Sequence, residues 1–271
     1  MYALISDIHS NLEAIQTVLA DIQERNVTDV FCLGDVIGYG PNPRECLDLV
    51  HQHCRACLMG NHDLAVLYEP NNFNTPAERA CYWTRQQLES EPDLERRNER
   101  WGFLGHLPVR IQHKDVLFVH GSPRRPINEY IFPEDVFTNP QKVTANFERL
   151  DARICFVGHT HQPGVFLDDP YFDPPHELPD SPFYVLEDER AIVNIGSVGQ
   201  PRDRDPRASY VIIHDRADAD EPDSIVEAAL SCSIKQVEFV RLEYDIDATV
   251  KKILAEPELD DLLGNRLYDG R

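Results

Sequence analysis

The sequence predicts an α/β domain that opens with a parallel sheet, carries a helical insertion and continues into a second, mixed sheet. Three observations point there. Residues 1–63 alternate short apolar runs with helical periodicity, the pattern of strand–helix–strand units laid in parallel. Residues 64–106 turn polar, and strands then resume at the close spacing of hairpins. A chain of 271 residues, 42% hydrophobic and 27% charged, is ample for one large buried core.

The elements follow in order. Tyr2 to Ser6 is an apolar strand ending at Asp7. Asn11 to Glu24 carries Leu12, Ile15, Val18, Leu19 and Ile22 at helical spacing, with Asn11 as its cap. Val30 to Leu33 is a second strand, ending in Gly34-Asp35. Pro43 to Gln52 reads as a helix with proline near its start. Ala56 to Met59 is a third strand, ending in Gly60-Asn61-His62-Asp63. The insertion, about 64–106, contains Pro70, Asn71, Asn72 and Asn74, with helices over 76–88 and 94–104. Its aromatics Tyr68, Phe73, Tyr82, Trp83 and Trp101 suit helix packing, with stacking on a base as the alternative. Later strands cover Val109–Gln112, Val116–Val119, Arg153–Val157, Gly164–Leu167, Ala191–Ile195, Ser209–Ile213 and Gln236–Leu242. Asp247 to Leu254 is a final helix within an acidic C-terminal segment of about 243–271, whose last residues read as loosely held. The whole reads as a single domain, 1–271.

Composition excludes several functions. With 26 basic and 47 acidic residues the net charge is -21, which repels nucleic-acid backbones at long range. Acid concentrates in 168–189 and 214–271, both read as solvated. No apolar run of about 18 residues is present, so no membrane span is expected. The start lacks a basic segment and reads as no signal peptide. Seven scattered cysteines, Cys32 and Cys155 inside strands, point to packing in a reducing cytoplasm. His51, His53, Cys54 and Cys57 lie too close together for a usual zinc module.

Five blocks carry the chemistry, each at a strand end: Asp7-Ile-His9, Gly34-Asp35, Gly60-Asn61-His62-Asp63, His120-Gly121 and Gly158-His159-Thr160-His161. Strand alternation aims Asp7 with His9, and His159 with His161, off the strand ends, where α/β sheets bind ligands. The preceding glycines permit close backbone approach. Asp7, Asp35, His9, His120, His159, His161 and the Asn61 amide make seven mixed donors, too many for one ordinary ion. They suit two ions sharing a carboxylate, from among Mn, Fe, Zn, Co and Ni rather than Ca or Mg alone.

The order D-x-H, G-D, G-N-H-D, H-G and G-H-T-H resembles the calcineurin-like metallophosphoesterases, from residue 2 to about 213. Phe73-Asn74-Thr75-Pro76, His120-Gly121-Ser122-Pro123 and the run Asn194 to Asp203 resemble a small bacterial phosphodiesterase-like branch. The resemblance implies a four-layer αββα sandwich of two mixed β-sheets flanked by helices. It implies one ion on Asp7, His9 and His161, the other on Asn61, His120 and His159, and Asp35 between them, with Mn or Fe favoured. A hydroxide held by both ions would attack phosphorus, and His62 would be the general acid. Asp63 orients a neighbouring histidine in the favoured reading, or ends a turn. Asn61 and His62 also border the substrate. Arginine forks suit phosphate oxygens, so Arg202 is expected on the substrate, with ion pairing of Arg202, Arg204 and Arg207 to Asp203 and Asp205 as the alternative.

The implied activity is hydrolysis of a small phosphodiester or nucleotide-type phosphate ester in the cytoplasm. No membrane or long nucleic acid is expected as partner, and a homo-oligomer is compatible. A serine/threonine protein phosphatase or a dinucleoside polyphosphate hydrolase would use the same centre. A non-catalytic interaction scaffold is the alternative of another class, disfavoured because the ligands and the acid are all present.

Overall fold

The computed structural model describes residues 1–186, 189–215 and 234–271; parts of both acidic stretches, 187–188 and 216–233, lie outside the described residues. Strands β1 (Tyr2–Ile5), β2 (Asp29–Cys32) and β3 (Ala56–Cys57) run parallel, with α1 (Leu12–Glu24) and α2 (Pro43–His53) as crossovers. Asn11 caps α1, its Oδ1 accepting from Ala14 N at 3.1 Å. A second group is β4 (Arg110–His113), β5 (Val116–Val119), β6 (Ile154–Val157), β7 (Gly164–Leu167) and β8 (Tyr171–Asp173). Four more strands follow: β9 (Phe183–Val185), β10 (Ala191–Asn194), β11 (Ala208–Asp215) and β12 (Ile234–Leu242). They form two sheets, ordered β3-β2-β1-β11-β12-β9 and β4-β5-β6-β10-β7-β8. Both are mixed: β5, β6 and β10 are parallel, whereas β4, β7, β8, β9, β11 and β12 pair antiparallel.

Alternation along the strands builds the layers. Tyr2, Leu4, Phe31 and Leu33 of the first sheet meet Phe118, Ile154, Phe156 and Val193 of the second. The intervening Ala3, Ile5, Val30 and Cys32 face helices α1 and α2 through Ile15, Val18 and Leu47. On the far side Leu117, Val119, Cys155 and Val157 face α6 (Asp135–Thr138) and α7 (Pro140–Arg149) through Val136, Val143 and Phe147. The result is a four-layer αββα sandwich.

The insertion is helical: α3 (Asn61–Leu67), α4 (Thr75–Glu89) and α5 (Leu94–Gly105). Cys81, Leu88 and Leu104 from it join the core beneath the first sheet. Two expectations need correction. The acidic stretch 168–189 is more than solvated loop, because Leu178 and Tyr184 are buried and β8 and β9 form within it. The last residues are not loose. Leu259, Leu263 and Leu267, spaced by four, join Val250 and Ile253 of α8 (Ile246–Leu254) against Tyr39 and Trp83; α9 (Asp261–Asn265) carries Leu263. Among the described residues, no helix is long and apolar enough to cross a membrane.

Candidate metal centre

All five blocks stand at carboxyl ends of parallel strands, three from the first sheet and two from the second. Strand alternation is not what aims them. The strands stop at Ile5, Cys32 and Val157, and the chain then turns left-handed: φ is 53° at Asp7, 48° at His9, 52° at Asp35, 66° at His159 and 60° at His161. This region is uncommon for non-glycine residues and costs about 1–3 kcal/mol each. Asp7 N donating to Gly34 O and His9 N donating to Asp35 O, both at 3.0 Å, lock the first turn against the second. The glycines serve close approach, as expected. A Cβ on Gly60 would fall 2.1 Å from Asp35 Oδ1, and one on Gly158 2.3 Å from Asp7 Oδ2.

The seven donors are buried and converge. His161 Nε2 lies 3.2 Å from His9 Nε2 and 3.1 Å from Asp7 Oδ1. Opposite, His120 Nε2 lies 3.1 Å from His159 Nδ1 and 3.2 Å from Asn61 Oδ1. Asp35 Oδ2 stands between the groups, 3.6 Å from His9 Nε2 and 3.3 Å from His120 Nε2. Asp7, His9 and His161, and likewise Asp35, His120 and His159, are each close enough to hold one ion. A third such group, His9, Asp35 and His62, was not foreseen.

The chemistry of the donors fits a cation. Nδ1 of His9, His120 and His161 faces Ile37 O at 3.4 Å, Leu33 O at 3.0 Å and Gln200 O at 2.5 Å respectively. A carbonyl only accepts, so each Nδ1 carries a proton and each Nε2 is the nitrogen turned inward; on His9 and His161 it is a free lone pair, whereas on His120 an ion would have to displace a proton. Burial holds His9 and His161 below the ordinary histidine value, hence neutral, so their Nε2 lone pairs face each other. Asp7 Oδ1 accepts no hydrogen bond, although buried. Facing lone pairs and an orphaned carboxylate oxygen repel unless positive charge lies among them. At His120 a proton supplies some: burial opposes it, but Asp35 and Asp7 raise this histidine to about 9. Burial also works to raise Asp7 and Asp35, yet His161 beside the first and His120 and His62 beside the second hold both carboxyls below the usual range.

His62 N donates to Asp35 Oδ1 at 2.8 Å, and its ring lies edge-on to His9 and Phe73, with centroids 4.8 and 4.7 Å away. Its Nδ1 faces Cys81 Sγ at 3.8 Å. Burial, then Arg202, pushes His62 down to about 4 against the opposing pull of Asp35. Asp63 departs from its favoured role. Its carboxylate is taken up by main-chain N–H groups, not by an imidazole: Asp35 N at 2.7 Å, Gly60 N at 3.0 Å, Val36 N at 3.0 Å and Ile37 N at 3.3 Å. It fastens the Asp35 turn to the start of α3.

Arg202 stands on the His161 side: its main-chain N–H donates to His161 O at 3.2 Å, while its guanidinium donates to Gln200 Oε1 at 2.7 Å and lies 5.7 Å from the Tyr39 ring centre. Arg207 takes the alternative reading, paired with Asp205 at 2.6 Å, while Asp203 is paired with Arg241. Asn61, His62 and His159 open on a cleft of about 440 Å³, walled by Tyr39, Phe73 and Tyr130. Of the insertion's aromatics only Phe73 reaches it; Trp83 is buried in packing. Tyr39 and Tyr130 escaped the sequence reading because both sit in loops without periodicity.

Comparison with known proteins places the chain. The family model described as the calcineurin-like phosphoesterase superfamily domain matches residues 1–218. An uncharacterized protein of Methanocaldococcus jannaschii is 38% identical over 281 residues, covering 100% of this chain and 98% of its own length. The crystal structure of a metallophosphoesterase from Sphaerobacter thermophilus is similar at a TM-score of 0.76 and 36% identity, over 100% of this chain and 98% of that one.

Proposed function

The chain belongs to the calcineurin-like phosphoesterase superfamily, and from that premise we propose that it hydrolyses a small phosphodiester or nucleotide-type phosphate ester with two transition-metal ions. The observation that carries the reading is the pair of donor groups meeting at Asp35. Asp7, His9 and His161 hold one ion, Asn61, His120 and His159 the other, and Asp35 reaches both; manganese or iron is favoured. When bound, the ions supply Lewis acidity and lower the pKa of a water.

The chain's own groups do the rest. Backbone carbonyls keep three imidazoles turned with Nε2 inward. Asp63 holds the Asp35 turn, so the shared carboxylate is in place before substrate arrives. His62 has Nδ1 turned toward Gly38 and Cys81, which leaves Nε2 for the leaving oxygen. Burial keeps that imidazole neutral at rest; beside an arriving phosphoryl anion it takes up a proton from solvent and hands it from Nε2 to the leaving oxygen, returning to the neutral form. Arg202, its guanidinium near the Tyr39 ring that walls the cleft and donating to Gln200 Oε1 at 2.7 Å, is the arginine assigned to the phosphoryl oxygens.

The cleft's size suits a small molecule rather than a protein loop, which supports this reading over a protein phosphatase. Six described cysteines are unpaired thiols, in keeping with a cytoplasmic enzyme. The test is elemental analysis of protein purified without chelator, joined to a panel of aryl diesters, aryl monoesters and dinucleotides. Two ions per chain and turnover of a small ester are expected. Substoichiometric metal that Mn or Fe fails to restore would overturn the binuclear reading, and turnover confined to phosphopeptides would favour the phosphatase.

A further inference from the structure

Three of the four donor histidines have their remote nitrogen pinned by a backbone carbonyl; the fourth does not. His159 turns Nδ1 toward His120, and its Nε2 is buried with no hydrogen-bond partner. Apart from the His120 contact on the ligating nitrogen itself, no hydrogen bond fixes that ring's rotation. What touches its face is Tyr130. The two rings lie nearly parallel, with centroids 3.7 Å apart and planes 15° apart. Tyr130 stacks in turn with Phe132, at 5.3 Å and 5°, and Lys142 Nζ from α7 sits 5.9 Å from the Phe132 ring centre.

This column has a firm base. Glu129, next to Tyr130 in the chain, accepts from Ser122 Oγ at 2.7 Å and from Asn146 Nδ2 at 3.1 Å, and pairs with Arg124. Lys142 is held by an ion pair with Asp135. Tyr130 is 37% exposed and lines the cleft, so it is no core residue whose loss would collapse the fold.

We propose that Tyr130 is a positioning residue that, by stacking on the His159 imidazole, holds its Nδ1 in line for the ion shared with His120 and Asn61. The inference rests on the metal reading above. A stack supplies by shape what a carbonyl supplies to the other three by hydrogen bonding, and losing such outer support typically weakens a metal site. The phenol oxygen has no part in it; the ring does.

The probe is Mn²⁺, followed by equilibrium dialysis and its paramagnetic resonance on the unmodified protein, Tyr130→Phe, Tyr130→Leu, His159→Ala and Tyr130→Leu with His159→Ala together. Tyr130→Phe is expected to bind both ions as the unmodified protein does. Tyr130→Leu should bind one ion about tenfold more weakly and leave the other unchanged. In the His159→Ala background Tyr130→Leu should cost nothing further, since its action runs through that ring. An unchanged isotherm for Tyr130→Leu, an equal loss in Tyr130→Phe, or losses that add in the double variant would overturn the proposal. Fewer than two ions on the unmodified protein would overturn the metal reading itself. Should Tyr130→Leu fail to fold, Phe132→Leu, one ring further out, is expected to weaken the same ion by a smaller factor, and no shift there counts against the column.

Discussion

Replacing Asp63 with asparagine puts a number on the turn that carries Asp35. The side chain is fully buried, and its two oxygens serve two N–H groups each: Asp35 N and Gly60 N on Oδ2, Val36 N and Ile37 N on Oδ1. An amide keeps one oxygen and turns an NH₂ toward the other pair. Two buried donors lose their acceptor, at about 1–3 kcal/mol each, so Asp63→Asn should cost about 2–6 kcal/mol. Against a total stability of about 5–15 kcal/mol that is a large share. With a urea slope of about 3 kcal/mol/M, the unfolding midpoint should fall by roughly 0.7–2 M. Urea titration followed by circular dichroism measures it, with hydrolysis assayed well below the new midpoint. A midpoint within about 0.2 M of the unmodified protein, together with lost activity, would refute the fastening role and return Asp63 to a direct part in the chemistry.

Other outcomes follow from the same geometry. Asp35→Asn should lose both ions by elemental analysis, whereas Asp7→Asn should lose one, because Asp35 faces histidines of both groups; equal loss in both would contradict the shared carboxylate. His62→Ala should keep both ions and lose rate mainly on esters with poor leaving groups, by a factor on the order of 10²–10⁴, and a deficit that ignores leaving-group pKa would end the general-acid assignment. Glu129 has its carboxyl held below the ordinary value: burial opposes this, but Arg124, Ser122 and Asn146 prevail. The sign is then that of a depressed acid, with stability full above the ordinary glutamate value of 4.5 and lost as pH falls through the folded value. Glu129→Gln should therefore lower the melting temperature at pH 7 and converge on the unmodified protein in acid; a deficit constant with pH would mean that packing, not charge, is what the substitution removes.

The alternation of strands and helices through residue 63 was legible because parallel units place apolar runs and helical periodicity next to each other in the chain. The seven donors were legible for a related reason: each follows a short apolar run, so their meeting at strand ends needed no long-range contact to foresee. How they meet was not. Nothing in Asp7-Ile-His9 distinguishes a continued strand from a left-handed turn, and the turn is decided by Gly34 and Asp35 accepting from the first block. Three-residue strands such as β8 and β9 take their stability from partners, β7 and β12, that lie elsewhere in the sequence. The leucines at 259, 263 and 267 carry a helical spacing, but their surface becomes a core only because Tyr39 and Trp83 arrive from remote segments. Asp63 was misread because a carboxylate beside histidines suggests an imidazole partner, and no pattern announces four main-chain donors converging on it.

The left-handed turns have a consequence for how this centre can change. Asparagine, aspartate and histidine are among the non-glycine side chains that best tolerate that backbone region, and aspartate and histidine are also the donors in demand here. One choice of residue thus answers two requirements, coordination and curvature. Retuning the centre toward another ion by ordinary ligand exchange, histidine to cysteine or aspartate to glutamate, would bring in residues less at home at those angles. Five of the proposed ligand positions are constrained in this way, while Asn61, in a helix, and His120, with no such angle, are not. The Asn61–His120 side is therefore where substitution can alter metal preference without also rebuilding the chain path.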